Sequence, residues 1–254
     1  MIQIPRVIPV LLLKNAGLVK TQKFKNPKYV GDPINAVKIF NEKEVDELVF
    51  LDITASIEKS KPNLKLLNDI ATECFMPLCY GGGIKTIEDI KSIINCGVEK
   101  VSLNSIAVEN PSFIRKAADV FGSSTIVVSI DVKKNLWGKK YIYTYSGTKA
   151  TGLDPVRFAV EMQQQGAGEL LINSIDNDGM MNGYDLDLIQ QISKEVDIPV
   201  IACGGAGNLQ HLIQAESAGA SAMAAGSMFV FHGQHRAVLI NYPSQKDLQS
   251  LFNK

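Results

Sequence analysis

Two glycine-rich segments of the chain have the composition of phosphate-binding turns. Residues 81–83 are Gly-Gly-Gly and residues 204–207 are Gly-Gly-Ala-Gly, and each segment directly follows a short apolar run. Glycines let backbone N–H groups approach an anion closely, and the start of a following helix adds partial positive charge. In both cases the end of the next apolar run adds a serine hydroxyl. The residues predicted to hold phosphate are Gly82, Gly83, Asn104, Ser105, Gly204, Gly205, Gly226 and Ser227.

Two such pairs of loops predict an elongated substrate with a phosphate group at each end. The alternative is that the glycines only form tight turns between strands and helices, but two clusters that are each paired with a serine favour phosphate binding. Neither segment is a Walker or dinucleotide-binding motif, so the sequence indicates no nucleotide cofactor. We expect a phosphorylated small molecule as the substrate and no cofactor.

A lysine-rich segment, residues 20–28, follows the first apolar run and contains Lys20, Lys23, Lys25 and Lys28. We expect a long loop here, and long loops are more often functional or mobile than not. An anionic substrate would suit these cations, with Lys20 as a binding residue. A solvated charged loop without a binding role fits the composition equally well.

Cysteine and histidine spacing argues against a metal centre. The four cysteines contain no C-x-x-C pair, and the three histidines lack metal-ligand spacing. We therefore expect buried, reduced thiols in a cytoplasmic protein and no bound metal.

Short apolar runs that alternate with helix-like stretches must position these residues. Each run is rich in Val, Ile, Leu or Ala and lacks a clean alternation, as expected for strands buried on both faces of a parallel sheet. The eight runs are 7–13, 47–52, 76–80, 100–103, 125–130, 169–173, 199–202 and 221–225. The helix-like stretches include 33–43, 63–73, 87–95, 112–120, 155–165, 186–196 and 209–217. Asp32, Asp154 and Asn208 precede three of them as predicted caps.

Eight strand–helix units predict a closed (βα)8 barrel, an α/β fold in which residues 1–254 form one domain. The carboxyl ends of the strands, where both glycine-rich segments lie, then form the active-site face. Segments of the first half recur in the second half, as residues 81–83 and 204–206 illustrate. The offset of about half the chain predicts an internal duplication of a half-barrel and disfavours a doubly wound sheet, the main alternative fold.

The bulk composition excludes several classes of partner. Lys plus Arg and Asp plus Glu both number 26, and the resulting formal net charge of zero gives no overall attraction to nucleic acid or to an anionic membrane. No apolar run approaches the roughly 18 residues that a membrane span needs. We therefore expect neither nucleic acid nor membrane as a partner.

Several segments together resemble one family, the cyclase subunit of imidazole glycerol phosphate synthase. They are residues 46–56, 81–84, 100–105, 166–169 and 203–207, and the likeness extends over nearly the whole chain. The resemblance implies a (βα)8-barrel enzyme of the carbon–nitrogen lyase or synthase type that pairs with a glutaminase subunit. Ammonia from that partner enters at the bottom of the barrel and attacks a bis-phosphorylated ribulosyl substrate at the top, which is cleaved and cyclised.

The resemblance also assigns a ring of charged residues to the ammonia entrance. Its positions match Arg6, Glu47, Lys100 and Glu169, which all lie at the starts of predicted strands and so at the barrel bottom. Two pairs of opposite charge are costly to bury in a barrel lumen without a role. Their presence predicts that the ammonia passage is retained.

The family uses two aspartates as general acid and base, on the first and fifth strands. The second matches Asp131, but the first aligns with Leu12, which cannot transfer a proton. General acid–base catalysis contributes roughly 10² to 10⁴ in rate, so Leu12 should cripple the usual cyclisation. With no second carboxylate, we expect Asp131 to be an ordinary anion in a polar pocket.

Two further carboxylates resemble residues of the family that position substrate hydroxyls. They are Asp176 and Asp178, at the end of the sixth predicted strand, and Gly179 beside them is a further predicted binding residue. Neither carboxylate obviously replaces the acid that is missing at Leu12.

Leu12 and the tail, residues 231–243, resemble a branch of the family that occurs with bacterial surface-polysaccharide genes. Those paralogues work beside their own glutaminase and are associated with conversion of a sugar N-acetyl group into an acetamidino group. Three functions stay open. The first, favoured by the intact ring together with Leu12, is an ammonia-channelling subunit in sugar amidination. The others are a histidine-pathway cyclase that tolerates Leu12, and a non-catalytic scaffold that activates its glutaminase and delivers ammonia to another enzyme.

Overall fold

Eight parallel strands close into a barrel in the computed structural model, which describes residues 4–252. The strands are β1 (Arg6–Lys14), β2 (Gly17–Gln22), β3 (Lys25–Gly31), β4 (Leu48–Asp52), β5 (Leu78–Gly81), β6 (Lys100–Leu103), β7 (Ile126–Lys134), β8 (Lys140–Thr144), β9 (Lys149–Ala150), β10 (Glu169–Ser174), β11 (Val200–Cys203), β12 (Ala222–Ala225), β13 (Phe231–His232) and β14 (Ala237–Val238). The helices are α1 (Pro33–Glu42), α2 (Ala55–Glu58), α3 (Leu64–Glu73), α4 (Ile87–Asn95), α5 (Ser105–Glu109), α6 (Ser112–Phe121), α7 (Pro155–Gln164), α8 (Leu186–Ser193), α9 (Leu209–Ser217), α10 (Ser227–Val230) and α11 (Gln245–Phe252).

The barrel strands follow one another in the order β1, β4, β5, β6, β7, β10, β11 and β12, and β12 pairs with β1 to close the ring. Each of these pairings is parallel, and a helix lies between successive barrel strands along the chain. The predicted (βα)8 barrel is therefore confirmed. Within the described residues, no helix is long and apolar enough to cross a membrane.

The predicted helix caps hold three of the outer helices in place. The side chains of Asp32, Asp154 and Asn208 accept hydrogen bonds from backbone N–H groups in the first turns of α1, α7 and α9. These bonds satisfy donors that a helix cannot pair internally. The capping predictions are confirmed, although α8 ends at Ser193, three residues before the predicted end.

Alternate residues of seven of the eight barrel strands, all except β6, belong to two separate apolar clusters. The larger cluster lies between barrel and helices and contains Val7 and Leu11 of β1 together with Phe40 of α1. The smaller cluster fills the lumen and contains Ile8 and Val10. Since successive side chains of a strand point to opposite faces, one strand supplies both clusters.

Two antiparallel hairpins extend the barrel at its carboxyl face. β2 and β3 extend from β1, and β8 and β9 extend from β7, the barrel strand four places away. The prediction of a long irregular loop at residues 20–28 is therefore wrong, because most of this segment is paired in β2 and β3. The two halves of the barrel share this layout, while their internal duplication stays a prediction from the sequence.

Tyr242, in the segment before α11, packs against the first barrel strand and holds this part of the chain in place. The hydroxyl of Tyr242 donates a hydrogen bond to the Val7 carbonyl at 2.8 Å, and its ring packs against Phe229 with the centroids 5.2 Å apart. Tyr242 is buried, so this hydroxyl has no access to water as an alternative partner.

We expect Tyr242→Phe to lower the free energy of unfolding by about 1–2 kcal/mol, because the ring packing stays while a buried carbonyl loses its donor. Urea unfolding followed by circular dichroism measures the change. Tyr29→Phe, at a side chain that is 66% exposed, is the matched control and should leave the unfolding free energy unchanged. Equal effects of the two substitutions would contradict this role of Tyr242.

Candidate active site

A pocket of about 1160 Å³ opens at the carboxyl ends of the barrel strands. Both glycine-rich segments line it, as does the hairpin that extends from β1. The predicted site residues that line it are Lys20, Gly82, Gly83, Asn104, Ser105, Asp131, Gly179, Gly204, Gly205, Gly226 and Ser227. The sequence therefore identified residues that the fold brings to one cavity.

The glycines of both segments hold backbone conformations and contacts that a side chain would prevent. Gly82 has φ +125°, and a Cβ there would lie 2.6 Å from the Asp52 carbonyl oxygen. Gly205 has φ +118°, and a Cβ there would lie 2.1 Å from the Gly183 carbonyl oxygen. Steric contacts therefore exclude a side chain at both glycines, and each turn presents backbone to the pocket.

The serine-bearing strand ends beside these turns differ in their local contacts. The Ser105 hydroxyl accepts a hydrogen bond from the backbone N–H of Tyr145 at 3.1 Å, and the Asn104 amide donates to the Ser129 carbonyl at 3.0 Å. Ser227 is buried at the start of α10. In the described structure Asn104 therefore positions the neighbouring strand, whereas both serines keep a hydroxyl at the pocket wall.

Lys20 lies inside the pocket wall. Its ammonium group donates to the Val10 carbonyl at 2.6 Å and occupies the space beside Gly226, where a Cβ would lie 1.8 Å from Nζ. Burial lowers the pKa of Lys20 to about 8. The other lysines of residues 20–28 are exposed, so Lys20 alone of this set brings its charge into the pocket.

Asp131, the predicted catalytic carboxylate, is buried at the end of the lumen. Burial raises its pKa to about 7, although the amide of Asn173 donates a hydrogen bond to Asp131 Oδ1 at 3.3 Å and opposes the rise. The expectation of an ordinary anion is therefore wrong, because burial, and to a lesser extent the charge of Asp178, disfavour the charged form of this carboxyl group. Near neutral pH this carboxyl group can both accept and release a proton.

Leu12 lines the same pocket from the opposite side of the ring. It pairs in register with Leu51 of β4, and both side chains pack against the apolar lumen cluster. β1 and β7 stand four places apart in the ring of eight strands, so Leu12 and Asp131 approach the pocket from opposite walls. The side chains of Leu12 and Leu51 are apolar, so neither offers a proton-transfer group at this position.

The two further carboxylates of β10 and its following turn have different environments. Asp178 lines the pocket and accepts a hydrogen bond from the Thr21 hydroxyl at 3.0 Å. Burial raises the pKa of Asp178, and the charge of Lys20 opposes this rise. Asp176, predicted as a binding residue, is not among the lining residues, because its carboxylate accepts the backbone N–H of Lys134 at 2.9 Å.

Three polar residues of the inner wall were not identified from the sequence. Ser102, Ser129 and Asn173 are buried and line the pocket, and both Ser102 Oγ and Asn173 Oδ1 have no hydrogen-bond partner within the described residues. Ser102 and Asn173 each lie one position before the end of their strand, and Ser129 lies two positions before Asp131 on β7, so the alternation of lumen-facing residues was the signal that could have identified them.

The four predicted entrance residues form a closed ring of ion pairs at the amino ends of the strands. Arg6 pairs with Glu47, and it pairs with Glu169 at 2.7 Å. Lys100 bridges the same two carboxylates, at 3.0 Å to Glu47 and 3.1 Å to Glu169. Each cation thus contacts both anions, and the formal charges within the ring cancel.

Glu47 is the most buried member of this ring. Its side chain is 2% exposed, and one carboxylate oxygen, Oε1, has no hydrogen-bond partner within the described residues. A buried ion pair rarely adds stability beyond what apolar residues of the same size provide. A contribution to the stability of the fold therefore does not explain well why charged residues occupy this part of the lumen.

No cluster of three or more metal-ligating side chains occurs in residues 4–252. All four cysteines are free. Cys79 and Cys203 are buried as expected, whereas Cys74 and Cys96 are half-buried. Burial raises the pKa of the Cys203 thiol to about 12, so this pocket residue stays protonated.

Fold and site define a (βα)8-barrel protein with a polar pocket at one end and a ring of charges at the other. Residues 6–236 match the family described as "Histidine biosynthesis protein". The chain belongs to this family, and its relatives are cyclase-type (HisF) subunits of imidazole glycerol phosphate synthase by name.

Three relatives illustrate the similarity. A protein of Pseudomonas aeruginosa, provisionally named imidazole glycerol phosphate synthase subunit hisF2, is 54% identical over 244 residues, or 96% of this chain and 97% of that one. A protein of Vibrio vulnificus, provisionally named subunit hisF3, is 52% identical over 246 residues, or 95% and 94% of the two chains. The subunit HisF of an Exiguobacterium species is 48% identical over 210 residues, or 83% and 82%.

The raised pKa of Asp131 predicts how stability changes with pH. The folded chain binds this proton more tightly than the unfolded chain, so the stabilisation is lost as pH rises from the ordinary aspartate range through about 7. The side chain in Asp131→Asn stays neutral at every pH. The free energy of unfolding of this variant, relative to that of the native chain, should therefore be greater at about pH 8.5 than at about pH 5.5, by about 2 kcal/mol.

Urea unfolding at both pH values measures this difference. Asp119→Asn, at an exposed carboxylate on α6, is the matched control and should show no such change with pH. A stability difference between Asp131→Asn and the native chain that is the same at both pH values would show that the native carboxyl group is ionised throughout.

Proposed function

We propose that this chain is the cyclase-type subunit of a glutamine-dependent complex and acts on a phosphorylated sugar-type substrate in acetamidino-sugar synthesis for surface polysaccharides. Ammonia from a glutaminase subunit enters at the ring of ion pairs, passes along the lumen and reaches the pocket. The observation that carries this proposal is the combination of an intact entrance ring with Leu12 in place of a proton-transfer group.

The ring supports a passage that opens when a partner docks. Within the described residues, Glu47 and Glu169 form ion pairs with Arg6 and Lys100 and with no other charged group. Movement of either cation would therefore open the ring. The ring lies at the opposite end of the barrel from the pocket. A glutaminase seated on the amino face would therefore deliver ammonia along the barrel axis.

The pocket supports a substrate with anionic ends and a reaction that needs one proton-transfer group. The two glycine turns and Lys20 supply donors and positive charge for phosphate groups, and Asp131 lies between them with a pKa of about 7. In this proposal Asp131 accepts the proton that ammonia releases when it adds to an electrophilic carbon. Leu12 then shields the opposite side of that carbon from water.

A second candidate, a histidine-pathway cyclase, is favoured by the raised pKa of Asp131. A single carboxyl group that titrates near neutrality could act as base in one step and acid in the next. The relatives named HisF without qualification, such as that of Exiguobacterium, add weight to this candidate. The third candidate, a scaffold that only activates its glutaminase, requires that Asp131 have no role in activity.

We expect the chain to co-purify with a glutaminase of the same organism and to raise glutamine hydrolysis by about tenfold, because docking couples the two subunits. Lys100→Met removes one of the two cations that hold the ring and should reduce this activation or the retention of ammonia. Coupled detection of glutamate and free ammonia measures both. Lys91→Met, at an exposed position on α4, is the matched control. A glutaminase that neither binds nor gains activity would remove the main support for channelling.

We expect the native chain to convert the bis-phosphorylated ribulosyl substrate of histidine-pathway cyclases negligibly, even with free ammonia. Leu12→Asp restores a carboxylate opposite Asp131 and should raise that turnover by about 100-fold, the order of a general acid–base contribution. Steady-state assays of the cyclised product measure it, with Leu51→Asp as a control that adds a carboxylate to the neighbouring strand of the same pocket.

Three outcomes of that assay separate the candidates. Robust native turnover would establish the histidine-pathway candidate and refute a change of function at Leu12. No gain in Leu12→Asp would show that substrate recognition has diverged as well. Full native activity of the complex on its own substrate in Asp131→Asn would favour the scaffold.

A further inference from the structure

Two adjacent apolar side chains stand almost fully exposed at the turn between β7 and β8. Leu136 is 98% exposed and Trp137 is 87% exposed. Trp137 is the single tryptophan of the chain. Scattered exposed apolar residues are ordinary, but a neighbouring leucine and tryptophan at a projecting tip form a surface that water solvates poorly.

The tip is held in a defined conformation. The Asn135 side chain accepts hydrogen bonds from the backbone N–H groups of Trp137 at 3.0 Å and Lys139 at 2.9 Å. Directly beside the turn, Lys140 forms ion pairs with Asp185 and Asp187, both at 2.8 Å. The exposed pair is thus presented on a braced hairpin.

The segment around the tip concentrates positive charge locally, whereas the expectation of no membrane partner rested on the zero net charge of the whole chain. Residues 132–153 contain five lysines and no aspartate or glutamate. Lys134 and Lys140 pair with carboxylates of the α8 region. Lys133, Lys139 and Lys149 form no ion pair within residues 4–252, and each ammonium group instead lies 5.2–5.6 Å from the ring centroid of a tyrosine.

We propose that this hairpin, residues 133–149, is a peripheral contact for an anionic phospholipid surface. Leu136 and Trp137 enter the boundary between headgroups and acyl chains, while the unpaired lysines bind headgroup phosphates. Tryptophan and tyrosine favour this boundary, and lysine extends its apolar stem along it while its charge stays in water.

The composition favours a membrane surface over a protein partner. Protein interfaces are depleted in lysine and enriched in arginine, and the hairpin has five lysines and no arginine. A stable protein interface also buries about 800 Å² on each partner, far more than two side chains supply. Binding to a flat anionic surface requires only the exposed apolar tip and the lysines beside it.

The contact would set the orientation of the whole barrel. β7 enters the hairpin at its carboxyl end, the end at which the pocket opens. A chain held by residues 136 and 137 therefore keeps this face near the lipid and leaves the ring of ion pairs at the far end. The inference does not depend on the proposed chemistry, because it rests on the hairpin alone.

The test uses the full chain with vesicles of equal parts phosphatidylglycerol and phosphatidylcholine, and with pure phosphatidylcholine vesicles as the neutral probe. We expect co-sedimentation with the anionic vesicles, a shift of Trp137 emission to shorter wavelength, and weakening of both by added salt. Trp137→Ser and the double variant Lys133→Glu/Lys139→Glu should each weaken co-sedimentation by about tenfold.

Phe75→Ser is the matched control, because Phe75 is 84% exposed on the turn that leads into β5 at the opposite end of the barrel. It should leave vesicle binding unchanged, and circular dichroism should show that all variants fold. The proposal is overturned if the native chain does not co-sediment with anionic vesicles. An acidic protein would then be the better candidate partner for the tip. It is also overturned if Trp137→Ser and Phe75→Ser weaken binding equally.

Discussion

The alternation of side chains along eight closed parallel strands is the constraint on which the rest of the structure depends. Because the period is two, every strand sends alternate residues into one shared lumen. β1 supplies Arg6, Ile8, Val10 and Leu12 in that order, from the ring of ion pairs through the apolar cluster to the pocket. A residue's place along its strand thus decides whether its side chain faces the ring of ion pairs, the apolar cluster or the pocket.

The two polar ends of this lumen stabilise buried acids by different means. At the entrance, the buried carboxylate of Glu47 contacts two cations, Arg6 and Lys100. At the top, Asp131 forms no ion pair within the described residues and has the neutral Asn173 as its hydrogen-bond partner, so burial raises its pKa to about 7. The acids at the entrance are thus compensated by ion pairs, whereas the carboxyl group at the top can exchange a proton near neutral pH.

The sequence was sufficient for the parts of the fold that depend on local patterns. Apolar runs identified all eight barrel strands, and Asp32, Asp154 and Asn208 marked helix starts, because burial on both faces and capping leave local signals. The hairpin of β2 and β3 lacked such a signal, since most of β3 is exposed and lysine-rich. The environments of Lys20 and Asp131 could not be predicted from the sequence either, because they depend on Gly226 and Asn173, which are distant in the chain.

Leu12 places an apolar side chain in the pocket, while the glycine turns and Lys20 around it present backbone groups and positive charge. Packed beside Leu51, it forms an apolar part of one wall, and the opposite wall keeps Asp131 and Asn173. The glycine turns lie on other strands, whereas Lys20 follows Val19, the partner of Leu12 in β2, and binds the Val10 carbonyl through its ammonium group. Binding energy from the ends of a substrate can therefore be retained while the groups at its reacting centre change. In (βα)8 barrels generally, such a separation allows the groups at the reacting centre to vary while the fold is kept.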